Sequence, residues 1–206
     1  MNRILSALTL MLASITVNAA IIEITPDYDG RIRNIHSSSP MILPADAYLE
    51  SFTSSDSSWE TRIAMEFATS AISGAISSAE LLLPAATSVL TGTVLDVFAY
   101  SGNGTLELAD VFSGTQVATF NPTTSSSHTV SLDTGILQTL LDGGATYFGL
   151  MIAVSDSNQQ AYWQHAANST ISTLRINTEA VPEPATLALM GLGLAGIGFA
   201  RKKRAA

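Results

Sequence analysis

Residues 61–67, Thr61-Arg62-Ile63-Ala64-Met65-Glu66-Phe67, and residues 76–83, Ile76-Ser77-Ser78-Ala79-Glu80-Leu81-Leu82-Leu83, decide the fold. In the first stretch Ile63, Met65 and Phe67 fall on one side of an extended chain, and Arg62, Ala64 and Glu66 on the other. Side chains alternate in that way only along a strand. Further alternating or β-rich runs lie at residues 21–25, 94–100, 116–120, 128–132, 147–154 and 172–177. With residues 61–69 and 76–83 they predict eight short strands. Gly, Ser, Asn, Pro and Thr cluster between them, at 37–40, 54–58, 101–104 and 121–127, and read as turns. One helix is predicted over residues 135–141, where Ile136, Leu137, Leu140 and Leu141 share a face. The expected fold is all-β, a jelly-roll-like β-sandwich.

Composition narrows the partners. The chain of 206 residues has no cysteine, so no disulfide framework or thiolate metal site holds it together. Its formal charge of -8 understates the acidity of the middle. Five of the nine basic residues (Arg3, Arg201, Lys202, Lys203 and Arg204) and one acid (Glu183) lie in the two ends. Residues 20–180 therefore carry four basic against sixteen acidic side chains, a net of -12. A surface of that sign repels nucleic acid and anionic polymers, whose binding needs clustered Lys and Arg.

The two ends read as addresses. Arg3, an apolar stretch from Ile4 to Val17 and the small-residue site Val17-Asn18-Ala19 predict a signal-peptide helix over residues 1–19, cut by signal peptidase. At the other end Val181, Pro182, Glu183 and Pro184 precede an apolar run of sixteen residues, 185–200, and then Arg201, Lys202, Lys203 and Arg204. As a helix that run spans about 24 Å, short of the ~30 Å hydrocarbon core. Its glycines suit a membrane segment, where small residues permit close approach. The basic cluster is expected to stay cytoplasmic, placing residues 20–180 outside.

The order Val-Pro-Glu-Pro, Gly-rich apolar helix, Arg-Lys-Lys-Arg resembles the PEP-CTERM sorting signal of Gram-negative bacteria. That resemblance implies export across the inner membrane, transient anchoring by a transmembrane helix, and processing by an exosortase near Pro182-Glu183-Pro184. The expected destination is the cell surface or the extracellular space. The implied domain plan is a signal peptide at 1–19, a β-sandwich ectodomain at 20–180 and a sorting signal at 181–206. In the middle, residues 61–67 and 76–83, with Val97-Phe98-Ala99-Tyr100-Ser101-Gly102-Asn103-Gly104 and Ala109-Asp110, resemble DNRLRE-type domains. The final Met65-Glu66-Phe67 departs from that family's usual Arg-Phe-Asp. This second resemblance implies a β-sandwich similar to carbohydrate-binding modules.

Chemistry-bearing residues give few patterns. His36, His128 and His165 lie in separate regions without metal-ligand spacing, and no GxSxG elbow accompanies the many serines. Glu66 with Glu80, or Glu107 with Asp110, could form a glycosidase pair by residue type, but no spacing selects one. No enzymatic activity is expected. Asp27-Tyr28-Asp29-Gly30 offers Asp27 and Asp29 to a structural calcium ion, but better suits an ordinary acidic turn, since it lacks the rest of a calcium loop; no other cofactor is expected. Trp59, in a Ser-rich loop, and the adjacent Tyr162 and Trp163 are the candidates for stacking on a sugar. On a strand Tyr162 and Trp163 point to opposite faces, so one belongs to the core and one to the surface. The expected function is an exported structural protein of the surface or extracellular matrix, as in a biofilm, associated with exopolysaccharide. The alternative is a polysaccharide-binding protein of carbohydrate-binding-module type.

Overall fold

The two quoted stretches form two strands that belong to different sheets. A computed structural model describes residues 20–44, 48–164 and 172–179. The strands are β1 (Ala20–Ile24), β2 (Tyr28–Arg33), β3 (Met41–Pro44), β4 (Tyr48–Thr53), β5 (Glu60–Ala68), β6 (Ile76–Leu83) and β7 (Ser88–Val89). They continue with β8 (Leu95–Gly102), β9 (Thr115–Phe120), β10 (His128–Ser131), β11 (Tyr147–Val154), β12 (Gln159–Gln164) and β13 (Thr173–Thr178). A four-stranded sheet runs β1-β13-β6-β10. A larger one runs β7-β12-β4-β5-β11-β8-β9, with β2 joined to β5 and β3 to β2.

Between the sheets lies one apolar core. Ile63, Met65 and Phe67 of β5 and Leu150 and Ile152 of β11 meet Leu81 and Leu83 of β6 and Leu174 and Ile176 of β13. The expected sandwich is therefore present, and the segment 60–83 supplies one strand to each layer. The predicted helix is α1 (Thr134–Asp142). Asp133 caps it by accepting hydrogen bonds from the amides of Gly135 (2.8 Å) and Ile136 (3.1 Å), which satisfies orphan donors of the first turn. Leu137 is fully buried, and Ile136, Leu140 and Leu141 pack against the core beside it.

Two expectations change. Among the described residues there are thirteen strands where eight were expected, because β2, β3, β4, β7 and β12 carry polar or short sequences that do not alternate cleanly. Asp29 and Gly30 sit inside β2, opposite Met65 and Ala64 of β5, and not in a turn. Residues 21–178 form one compact unit. The signal-peptide reading at 1–19, the sorting signal at 181–206 and His165 lie outside the described residues. Among the described residues no helix is long and apolar enough to cross a membrane.

Trp163 on β12 is the largest fully buried side chain, and its indole N–H donates to the Pro84 carbonyl at 3.1 Å. Replacing a buried tryptophan with alanine removes its transfer energy and leaves a cavity. Trp163→Ala is expected to lower unfolding stability by about 3–5 kcal/mol in urea titrations followed by circular dichroism. A loss below about 1 kcal/mol would place the ring outside the core.

Candidate functional site

The hairpin joining β4 to β5 presents the one expected sugar-contact residue that is well exposed. Phe52 pairs with Thr61 and Thr53 with Glu60, and the Ser54 amide donates to the Trp59 carbonyl at 2.9 Å. Inside the loop Asp56 Oδ1 accepts from Ser54 Oγ (2.7 Å), Ser58 Oγ (2.7 Å) and the Ser58 amide (3.1 Å). The Ser54 hydroxyl, then Ser58, holds the Asp56 carboxyl down at about 2, so the loop keeps this network at any ordinary pH. Ser54 Oγ also accepts from the Trp59 amide at 3.0 Å. A loop tied at this many points fixes the backbone at Trp59, whose side chain is left 41% exposed.

Around Trp59 the β2–β5 register gathers polar side chains. Arg33 of β2 lies opposite Thr61, and its guanidinium carbon sits 5.5 Å from the centre of the Trp59 ring, a cation–π contact. Glu60, almost wholly buried, accepts from Arg62 Nε at 2.5 Å and meets His36 Nε2 at 2.7 Å. Arg33 was absent from the candidate residues because the strand carrying it was not anticipated. Its only sequence signal is that Arg31, Arg33 and Arg62 are three of the four cations in a very acidic domain.

The remaining candidates separate. Trp163 leaves the sugar-contact set as a correction: its ring is 1% exposed, and β12 turns it into the core. Tyr162, its neighbour, is half-buried on the other face, opposite Glu50 of β4 and Ser88 of β7. Asp27 lies just before β2, where its amide donates to the Glu66 carbonyl at 2.9 Å, and its carboxylate is the main reason the Tyr147 phenol is pushed up. Among the described residues no group of three or more His, Asp or Glu is arranged to hold a metal ion. The carboxylate pairs also have structural partners. Glu66 and Glu80 belong to different sheets, and Glu80 pairs with Arg175 at 3.3 Å. Glu107 and Asp110 form a reciprocal cap at the start of one 3-10 turn (residues 108–112), the Glu107 amide donating to Asp110 Oδ2 at 2.7 Å.

A second polar centre went unread in the sequence. Glu66 is fully buried on the face of the large sheet opposite the core, in the row Tyr28–Glu66–Gly149–Tyr100 across β2, β5, β11 and β8. Its Oε2 accepts from the Gly104 amide at 2.5 Å, and the buried Tyr100 hydroxyl faces the same carboxyl. Glycines make the room. A Cβ on Gly149 would stand 2.1 Å from the Tyr100 ring, and one on Gly102 would stand 2.6 Å from Glu66 Oε1. Burial pushes the Glu66 carboxyl up, the Gly104 N–H opposes it, and Asp110 adds to the rise. Asp110 is itself pushed up, again chiefly by burial.

A carboxyl whose folded-state pKa is raised is most compatible with folding while protonated. Its contribution is most favourable below the unfolded value of 4.5 and declines as pH rises through the folded one. Glu66→Gln keeps the shape without the charge. The variant is expected to match the wild type at pH 4 and to melt at a higher temperature at pH 7. A lower melting temperature at pH 7 would mean that the ionised carboxylate is stabilising.

Comparison with known proteins bears on the tail and little on the sandwich. No curated protein matches the chain. One solved structure to which it is similar holds the CBM22-1 and GH10 modules of the Clostridium thermocellum endo-1,4-beta-D-xylanase 10B, complexed with xylohexaose. The identity is 12%, the TM-score 0.32, and the match covers 80% of this chain and 29% of that one. A likeness of that size carries no weight for activity, and the fold stands on its own sheets. Residues 180–204 match the PEP-CTERM protein-sorting motif, at the place where Val181-Pro182-Glu183-Pro184, the apolar run and the basic cluster stand. The chain carries that motif, which indicates an exported protein anchored in the membrane before exosortase cleavage.

Proposed function

We propose that this is an exosortase-processed protein of the cell surface or extracellular matrix, whose acidic β-sandwich associates with exopolysaccharide. The observation that carries this reading is the sorting motif at residues 180–204. It is an address, and it makes residues 20–180 the delivered part. The sandwich has the character of a passive or binding cargo: its inter-sheet space is filled by apolar side chains, and of the carboxylates that could have suggested glycoside cleavage Glu80 is held in an ion pair, Glu107 and Asp110 in a turn cap, and Glu66 is buried in the other sheet. This reading assigns the sandwich no reaction of its own. Ser- and Thr-rich loops such as 121–127 also leave hydroxyls open to glycosylation.

A specific observation favours the binding-module alternative within this reading. Trp59 is a large aromatic side chain held in solvent by a hydrogen-bonded hairpin, and an exposed ring of that kind matches the apolar face of a sugar. Structural association and sugar binding then describe one surface at different affinities.

Mass spectrometry of the protein recovered from its producing cells tests the processing step. The mature chain is expected to end near Pro184, without residues 185–206. A mature protein that still carries Arg201, Lys202, Lys203 and Arg204 would contradict it.

A further inference from the structure

Resting on the polysaccharide reading above, we propose that the β4–β5 hairpin is a subsite for carboxylate-bearing sugars in an otherwise largely neutral polysaccharide. Trp59 supplies the stacking platform and Arg33 the carboxylate contact. The argument begins with the four cations of residues 20–180. Arg62 is paired with Glu60, Arg175 bridges Glu23 at 2.9 Å and Glu80 at 3.3 Å, and Arg31 is 6% exposed. Arg33 differs from all three. It faces an aromatic ring, that of Trp59, and among the described residues no carboxylate pairs with it; its Nε, like that of Arg31, is buried without a hydrogen-bond partner, so the contact falls to the two terminal N–H groups.

A guanidinium seated on an aromatic face keeps its N–H fork for an in-plane partner. Carboxylate is the group that the fork matches with two parallel hydrogen bonds. The acids of the hairpin do not compete for it: Asp56 is engaged by Ser54 and Ser58, and Glu60 by Arg62 and His36. An aromatic platform beside an uncommitted cation fits a sugar that is apolar on one face and anionic at its edge.

The net charge of -12 over residues 20–180 limits what kind of chain can bring that sugar. At physiological salt the screening length is about 8 Å, so most of these acids act weakly on a single carboxylate held at Arg33. A polymer charged at every sugar would run on past them and be repelled along its length. Sparse carboxylates on a neutral backbone meet the cation and avoid that cost.

The test uses exopolysaccharide isolated from the producing organism, before and after chemical reduction of its carboxyl groups to alcohols. Binding of the full-length chain in detergent is measured by affinity electrophoresis. The wild type is expected to bind the native polymer about tenfold more tightly than the reduced one, the range of one charge-assisted hydrogen-bonded contact. Arg33→Gln is expected to bind both polymers alike, Arg33→Lys to retain a preference, and Trp59→Ala to lose both. Equal wild-type binding to the two polymers, or a preference that survives Arg33→Gln, would overturn the carboxylate subsite and leave the polysaccharide reading standing. Binding to neither polymer would overturn both.

Discussion

Everything in the larger sheet depends on burying β5 from both sides. Ile63, Met65 and Phe67 fill the space between the sheets, while Ala64 and Glu66 are covered on the opposite face. Covering that second face takes several elements at once. β2 and β3 bring Ile32 and Ile42 over Ala64, and Leu106 closes over them from the segment after β8. The same segment offers the Gly104 amide to the Glu66 carboxylate, where an unanswered buried acid would cost about 1–3 kcal/mol or more. Glu66 therefore ties the 102–110 loop to the centre of the sheet. The absence of side chains at Gly102 and Gly149 admits its carboxylate and the Tyr100 ring.

That constraint also positions the candidate site. The antiparallel register of β2 on β5 sets Arg33 opposite Thr61, two residues from Trp59, and Ile32 opposite Arg62. The hairpin that presents Trp59 is the turn by which the chain enters β5. The buried strand and the exposed ring are thus consecutive parts of one segment. Its polar entry faces solvent, and its apolar middle fixes where that entry points.

Much of this was legible in the sequence, and the failures share a cause. β6 and β11 were read with their observed limits, and β5 to within a residue at each end, because alternation or a dense β-branched run marks them without help from neighbours. β2, with sequence Tyr-Asp-Gly-Arg-Ile-Arg, has a glycine and an acid that suggest a turn. It is a strand because β5 offers it a partner edge. For Tyr162 and Trp163 alternation showed that one belongs inside. Which one is fixed by the register of β12 on β4, a long-range fact that local pattern does not contain. Glu66 looked like a solvated strand position, because nothing in residues 61–67 reveals a loop forty residues later lying over it. The sorting tail was the opposite case. Its recognition rests on contiguous residues, and contiguous residues were enough.

Native-state hydrogen exchange measures the central claim most directly. If β5 is sealed on both faces, its amides and those of β11 exchange only through global unfolding, with the highest protection in the domain. The Gly104 amide, though in a loop, is protected above its neighbours by its bond to Glu66. Exchange of the β5 amides at rates typical of an edge strand such as β9, with Gly104 unprotected, would contradict the account.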